Sequence, residues 1–149
     1  LAGVFGAKNL EDDRVVYPTR RIKMPQGRCI LFPVLNCEAN SLEYPQLVTH
    51  DDIVNHVKKD IDTIIKKDCF INGTRIEPER VASDPPVFSV NLPVDNVLEV
   101  NGGVNIDIAA DGYWIFLKPL MEGYYEVKFE GSCENGRLSA GATYQIEIV

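Results

Sequence analysis

A chain of 149 residues with 45% hydrophobic and 25% charged residues has the balance of a folded protein with a real core, which excludes wholesale disorder. Its formal net charge of −7 argues against nucleic acid as a partner, since phosphate binding needs clustered Lys and Arg and the basic group Arg20, Arg21 and Lys23 is small and local. No apolar run approaches the roughly 20 residues that span a bilayer, so no membrane-spanning segment is expected.

The chain begins at Leu1 rather than Met, as a processed or truncated product would, and LAGVFGA suits the remnant of a signal cleavage region as well as an ordinary start. Residues 1–14 carry Glu11, Asp12 and Asp13 without a sustained period and read as an N-terminal arm, leaving 15–149 as a single domain. Val15 to Met24 holds one short extended piece, and Pro25-Gln26-Gly27 makes a turn. Cys29 to Leu35, CILFPVL, is continuously apolar, the pattern of a strand covered on both faces, while Pro33 puts it at an edge or a bulge. Residues 36–46 read as a loop. Thr49 then caps the one convincing helix, expected over about 50–67. Asp51 and Asp52 suit its N-terminal end and Lys66 and Lys67 its C-terminal end, and Ile53, Val57, Ile61, Ile64 and Ile65 form a core-facing stripe.

Asp68 to Ile76 reads as a hairpin with Asn72-Gly73 at a two-residue turn. Val87 to Leu92 is a strand with Phe88, Val90 and Leu92 on one face, and Pro93 to Ala110 is a long Asn, Asp and Gly-rich connection with one short strand at Val104 to Ile108. The stretch from the Asp111-Gly112 turn to Gly131 reads as the central hairpin. An aromatic strand runs from Tyr113 to Leu117, Pro119 ends it, Gly123 turns the chain, and Tyr124 to Glu130 returns. Alternation puts Tyr113, Ile115 and Leu117 on one face and Trp114 and Phe116 on the other, so both faces should be covered. At the end, Ala142, Tyr144, Ile146 and Ile148 alternate with Thr143, Gln145 and Glu147 as a half-buried strand. Seven or eight short strands and one amphipathic helix give a mainly β chain, an antiparallel two-sheet β-sandwich of jelly-roll or immunoglobulin-like type.

The pattern D-G-Y-W-x-x-L-x-P-L-x-x-G-x-Y-x-x-x-F-x-G at Asp111 to Gly131 resembles a group of uncharacterised, predicted-secreted bacterial and archaeal proteins. Met24-Pro25-Gln26-Gly27 followed by Cys29 to Asn36 is similar to the same group's proline-glycine turn and apolar strand. The resemblance implies a secreted β-sandwich rather than a reaction. Tyr125 stands where that group often has histidine, so a role resting on the histidine does not carry over.

Four cysteines without a C-x-x-C pair lack metal-site spacing but allow disulfides in an exported chain. Cys37 and Cys69, lying just outside the helix-containing segment, are the expected pair. Asn72-Gly73-Thr74 is a glycosylation sequon, although the tight turn explains the same residues. His50 and His56 are six apart on the helix and point in different directions, so they do not form a metal pair; His56 and Asp60 are placed for a surface hydrogen bond.

Asp95, Glu99, Asn101, Asn105, Asp107 and Asp111 make the 93–111 connection rich in hard oxygen donors. Asp107 and Asp111 are the weak candidates for calcium, the one cofactor the composition suggests, against plain turn chemistry. Trp114, Tyr113, Tyr124 and Tyr125 would offer a platform for sugar rings, but with both faces expected to be covered only an exposed Trp114 would revive that idea. The reading that follows is a secreted or cell-surface, non-catalytic binding or structural module with a glycan or protein partner. The alternatives are an extracellular hydrolase using the acids of the 93–111 loop, which needs two carboxylates facing across a cleft, and an assembly subunit, marked by an exposed apolar patch or open strand edge.

Overall fold

The computed structural model describes residues 4–5, 7–8, 15–96, 98–134 and 139–149. Its elements are β1 (Val4–Phe5), β2 (Ala7–Lys8), β3 (Val15–Val16), β4 (Thr19–Met24), β5 (Ile30–Asn40), α1 (His50–Asp62), β6 (Ile64–Ile71), β7 (Thr74–Arg75), β8 (Glu79–Arg80), β9 (Phe88–Leu92), β10 (Val104–Leu117), β11 (Gly123–Cys133) and β12 (Ser139–Ile148). The chain is mainly β with one helix, in two main sheets whose pairs are mostly antiparallel. It falls into two compact units, Leu1–Leu35 with Thr63–Arg80 and Tyr113–Val149, and Asn36–Asp62 with Val81–Gly112. Of the expected arm, only β1 and β2 lie among the described residues; the rest of 1–14 lies outside them.

The first unit is organised on β12. Its alternation works as the sequence predicts, with Ala142, Tyr144, Ile146 and Ile148 all buried. Burying Ile146 and Ile148 contributes about 1.5–3 kcal/mol each relative to exposed side chains. β11 pairs with β12 antiparallel from Gly123↔Ile148 to Ser132↔Ser139, and β4 runs parallel along the other edge from Thr143↔Thr19 to Ile148↔Met24. β1 continues that edge at Gly141 and Ala140. Beyond β11 lie β6 and β7, joined through Asn72 and Gly73, whose φ values of 48° and 79° give the left-handed turn expected of Asn-Gly. Phe32 of β5 meets Phe129 of β11 with ring centroids 4.7 Å apart, and Ile30, Val34 and Ile115 join Cys69, Val127 and the β12 residues in one apolar cluster.

The structure corrects four expectations here. The helix ends at Asp62 rather than near 67, because Ile64 to Ile71 pair with β11; Ile65 is 69% exposed, and Lys66 and Lys67 meet Glu130 and Glu77 instead of a helix end. The 113–130 stretch is not a hairpin. β10 belongs to a sheet with β5, β8 and β9, whereas β11 lies between β6 and β12, so residues 118–122 connect strands of different sheets. CILFPVL is covered on both faces only towards its end: Ile30, Phe32 and Val34 are buried on one face and Leu35 on the other, while Leu31 is 57% exposed. β5 closes its sheet's strand order, in keeping with Pro33 at an edge. Phe116, also expected to be covered, is 62% exposed.

In the second unit, Thr49 and Asp52 form the cap that the sequence predicts. Asp52 Oδ2 accepts from Thr49 N and Oγ1, both at 2.8 Å, and Asp52 N donates back to Thr49 Oγ1 at 3.1 Å. Ile53 and Val57 pack with Ala39, Leu47 and Ala109. β9 pairs with β10 from Val104↔Leu92 to Ile108↔Phe88, and Leu92, Ile106 and Ile108 form a second apolar cluster. β5 continues through Cys37 to Asn40, where a loop had been expected. The Asp111-Gly112 turn is also corrected, since both residues are in β10. Val81 N donates to Gly112 O and Ser83 N to Ala110 O, so the backbone here is engaged as a strand edge.

Candidate binding face

Strand alternation turns Arg21 and Lys23 of β4, Gln145 and Glu147 of β12, and Tyr124 and Glu126 of β11 to the side of the sheet opposite the core. Register sets them in two rows. Lys23, Glu147 and Tyr124 stand abreast in one, and Arg21, Gln145 and Glu126 in the other. Three strands at ~4.8 Å spacing and a two-residue step of ~7 Å make a patch of about 10 by 7 Å, the footprint of one or two sugar rings. The same residues, with Ile22, Tyr125 and Ile146, line an open depression of about 600 Å³.

Cross-strand bonds hold the polar groups in place. Arg21 Nε donates to Gln145 Oε1 at 2.9 Å, Lys23 Nζ to Glu147 Oε1 at 3.3 Å, and Tyr124 OH to the same Glu147 oxygen at 3.5 Å. Tyr124 is nevertheless 79% exposed, so most of its ring is presented to solvent. The patch combines a flat aromatic surface, two cations, two carboxylates and an amide. Tyr125 points the other way, packs against the core and donates its hydroxyl to Met121 O at 3.1 Å.

The residues singled out from sequence lie on several elements. Asp95 and Asn101 are exposed in the 93–103 connection, as is Glu99, whose φ is 56°. Asn105 is exposed on β10 opposite Asn91. Asp107 accepts from Ser89 Oγ and meets His50 Nε2 at 2.9 Å, and these bonds, Ser89 first and His50 second, hold its carboxyl below the usual range. Asp111 is only 4% exposed and accepts from Gly112 N at 2.7 Å. Of the four carboxylates, Asp107 and Asp111 are thus engaged by neighbouring groups, while Asp95 and Glu99 face solvent. Among the described residues no group of three or more His, Cys, Asp and Glu is arranged to hold a metal ion.

Trp114, expected to be the sugar platform if exposed, is half-buried beside Glu79, whereas Tyr124 is 79% exposed. Asn72 serves its turn and reaches further, with Oδ1 accepting from Glu126 N at 2.8 Å. His56 and Asp60 stand 3.8 Å apart, as helical spacing predicts. The expected Cys37–Cys69 disulfide is corrected: all four cysteines are free thiols. Cys69 is fully buried in the apolar cluster of the first unit, whereas Cys37 belongs to the second and donates to Asp60 Oδ2 at 3.7 Å. No family model, curated protein or solved structure matches the chain.

Proposed function

We propose that this protein is an exported or cell-surface binding module, a non-catalytic β-sandwich whose β4–β12–β11 face holds a glycan. The observation that carries this reading is the 79% exposed Tyr124 standing in a sheet face beside hydrogen-bonding groups fixed on β12 and β4. A sugar ring offers an apolar face for stacking and a rim of hydroxyls, and the two needs are met side by side here. The likeness of the 111–131 stretch to secreted proteins supports export, and a jelly-roll or immunoglobulin-like arrangement would suit such a module. A hydrolase acting through Asp95, Glu99, Asp107 and Asp111 has less support, because Asp107 is engaged by Ser89 and His50 and Asp111 is enclosed.

Affinity electrophoresis against soluble β-glucan, xylan, mannan and chito-oligosaccharides tests the proposal. Retardation by at least one is expected, with Tyr124→Ala weakening it by about tenfold or more and Trp114→Phe leaving it in place. Migration unchanged by every polysaccharide, or retardation indifferent to Tyr124→Ala, overturns the reading.

A further inference from the structure

A second cluster of polar groups, unrelated to the sheet face, occupies the second unit where β5 ends and the chain turns toward α1. Asn40 is fully buried and organises the turn: its Oδ1 accepts from Leu42 N at 2.9 Å and Glu43 N at 3.0 Å, and its Nδ2 donates to Glu43 Oε2 at 2.5 Å. Its backbone carbonyl accepts from Tyr44 N, whose own carbonyl takes Leu47 N. The Glu38 carboxyl lies against the Glu43 carboxyl, and Glu38 Oε2 is buried without a hydrogen-bond partner. An ionised carboxylate with an enclosed, unsatisfied oxygen beside a second carboxylate is costly; one proton placed between the two removes the repulsion and supplies a hydrogen bond.

We propose that Glu38 and Glu43 form a proton-operated latch that holds the 41–47 turn closed on the end of β5 while they share a proton and releases it when the proton is lost. Cys37 and Glu38 come from β5, Glu43 and Tyr44 from the turn, and His56 and Asp60 from α1, with the Tyr44 ring 4.6 Å from that of His56 and Cys37 bonded to Asp60. Burial first, then the hydrogen bond and charge of Glu43, raise Glu38 from 4.5 to about 7, against the opposing bond from Asn40. A carboxyl bound more tightly to its proton in the closed turn than in the open one favours closure fully below 4.5, and that contribution is lost as pH rises through about 7. Release would free Leu47, a member of the cluster under α1, and with it the approach to the Thr49 cap.

Amide hydrogen exchange on the full chain, expressed as protection factors so that the chemical pH dependence is removed, tests the latch at pH 5 and pH 8. Protection of Leu42, Glu43, Tyr44 and Leu47 is expected to fall at least tenfold at pH 8, while Val127 and Ile146 on the β11–β12 pair keep theirs. In Glu38→Gln, whose amide donates to Glu43 at every pH, protection should be equal at both. Unchanged protection in the parent protein, or an equal loss in Glu38→Gln, overturns the proposal. Should the variant fail to fold, carboxyl-carbon NMR of the unsubstituted protein decides: Glu38 titrating near 7 sustains the latch, and Glu38 titrating below about 5 overturns it.

Discussion

At Gly102 a single hydrogen stands where any other residue would place a carbon into the chain itself. A Cβ there would lie 1.8 Å from Pro93 O and 2.8 Å from Val94 Cα, both backbone atoms that no rotamer change can move. Gly102→Ala is therefore expected to lower unfolding free energy by about 1–3 kcal/mol in urea titrations. The 93–103 loop would have to open, although Asn96 ties it by donating to Pro93 O and Val100 O. The Asn, Asp and Gly content of this loop is visible in the sequence, but its meaning is not. Gly102 admits a close backbone approach and Asn96 satisfies carbonyls, which are architectural roles rather than ligand chemistry. The same holds for Asp107, whose carboxylate serves Ser89 and His50.

The helix α1 shows which signals are readable at the level of an element. Its start is written locally in Thr49 and Asp52, and its buried stripe in Ile53, Val57 and Ile61. Its end is not, because Ile64 and Ile65 fit the helical stripe and also suit a strand, and pairing with β11 decides between them. Thr49→Ala should cost about 1 kcal/mol in thermal or chemical unfolding while leaving the strand signal in circular dichroism unchanged. Hydrogen bonds from the Thr49 side chain and backbone lower the Asp52 carboxyl below its ordinary value. A depressed carboxyl gives its stabilisation above the unfolded value and loses it as pH falls through the folded one, so the cap should fail only in acid. The hairpin at Asn72-Gly73 was equally local and equally legible. By contrast, the 113–130 pair was misread because strands adjacent in sequence entered different sheets, a choice that no local pattern records.

For the molecule as a whole, the sequence conveys class and core better than site. The β12 alternation was enough to name four of the buried residues, yet the sheet face was invisible, since Arg21 and Gln145 are 124 residues apart and no spacing links them. Tyr124 is in view as one of several aromatics, Arg21 and Lys23 as a small basic group, and Gln145 and Glu147 as the polar side of the last strand, with nothing to join them. The cysteines give a global check on both cores. Cys29 is exposed, Cys37 partly so, and Cys69 and Cys133 are buried, with burial pushing the Cys69 thiol up to about 11. Iodoacetamide at pH 8, without reductant, should modify Cys29 first and Cys69 only on global opening, and should count four thiols in denaturant. Fewer than four, or Cys69 reacting as fast as Cys29, would contradict the arrangement of the first core.

The parallel seating of β4 on β12 also governs the order in which the protein can be made. β4 comes early in the chain, yet its ladder partner is Ser139–Ile148, about 120 residues later. During synthesis β6 and β11 can pair first, since their register is independent of β12. β4 has to wait, with Ile22 and Met24, which later pack on the core, still open to water and to neighbouring chains. Late closure of this kind makes folding slow and leaves a nascent chain dependent on protection from aggregation until its final strand has emerged.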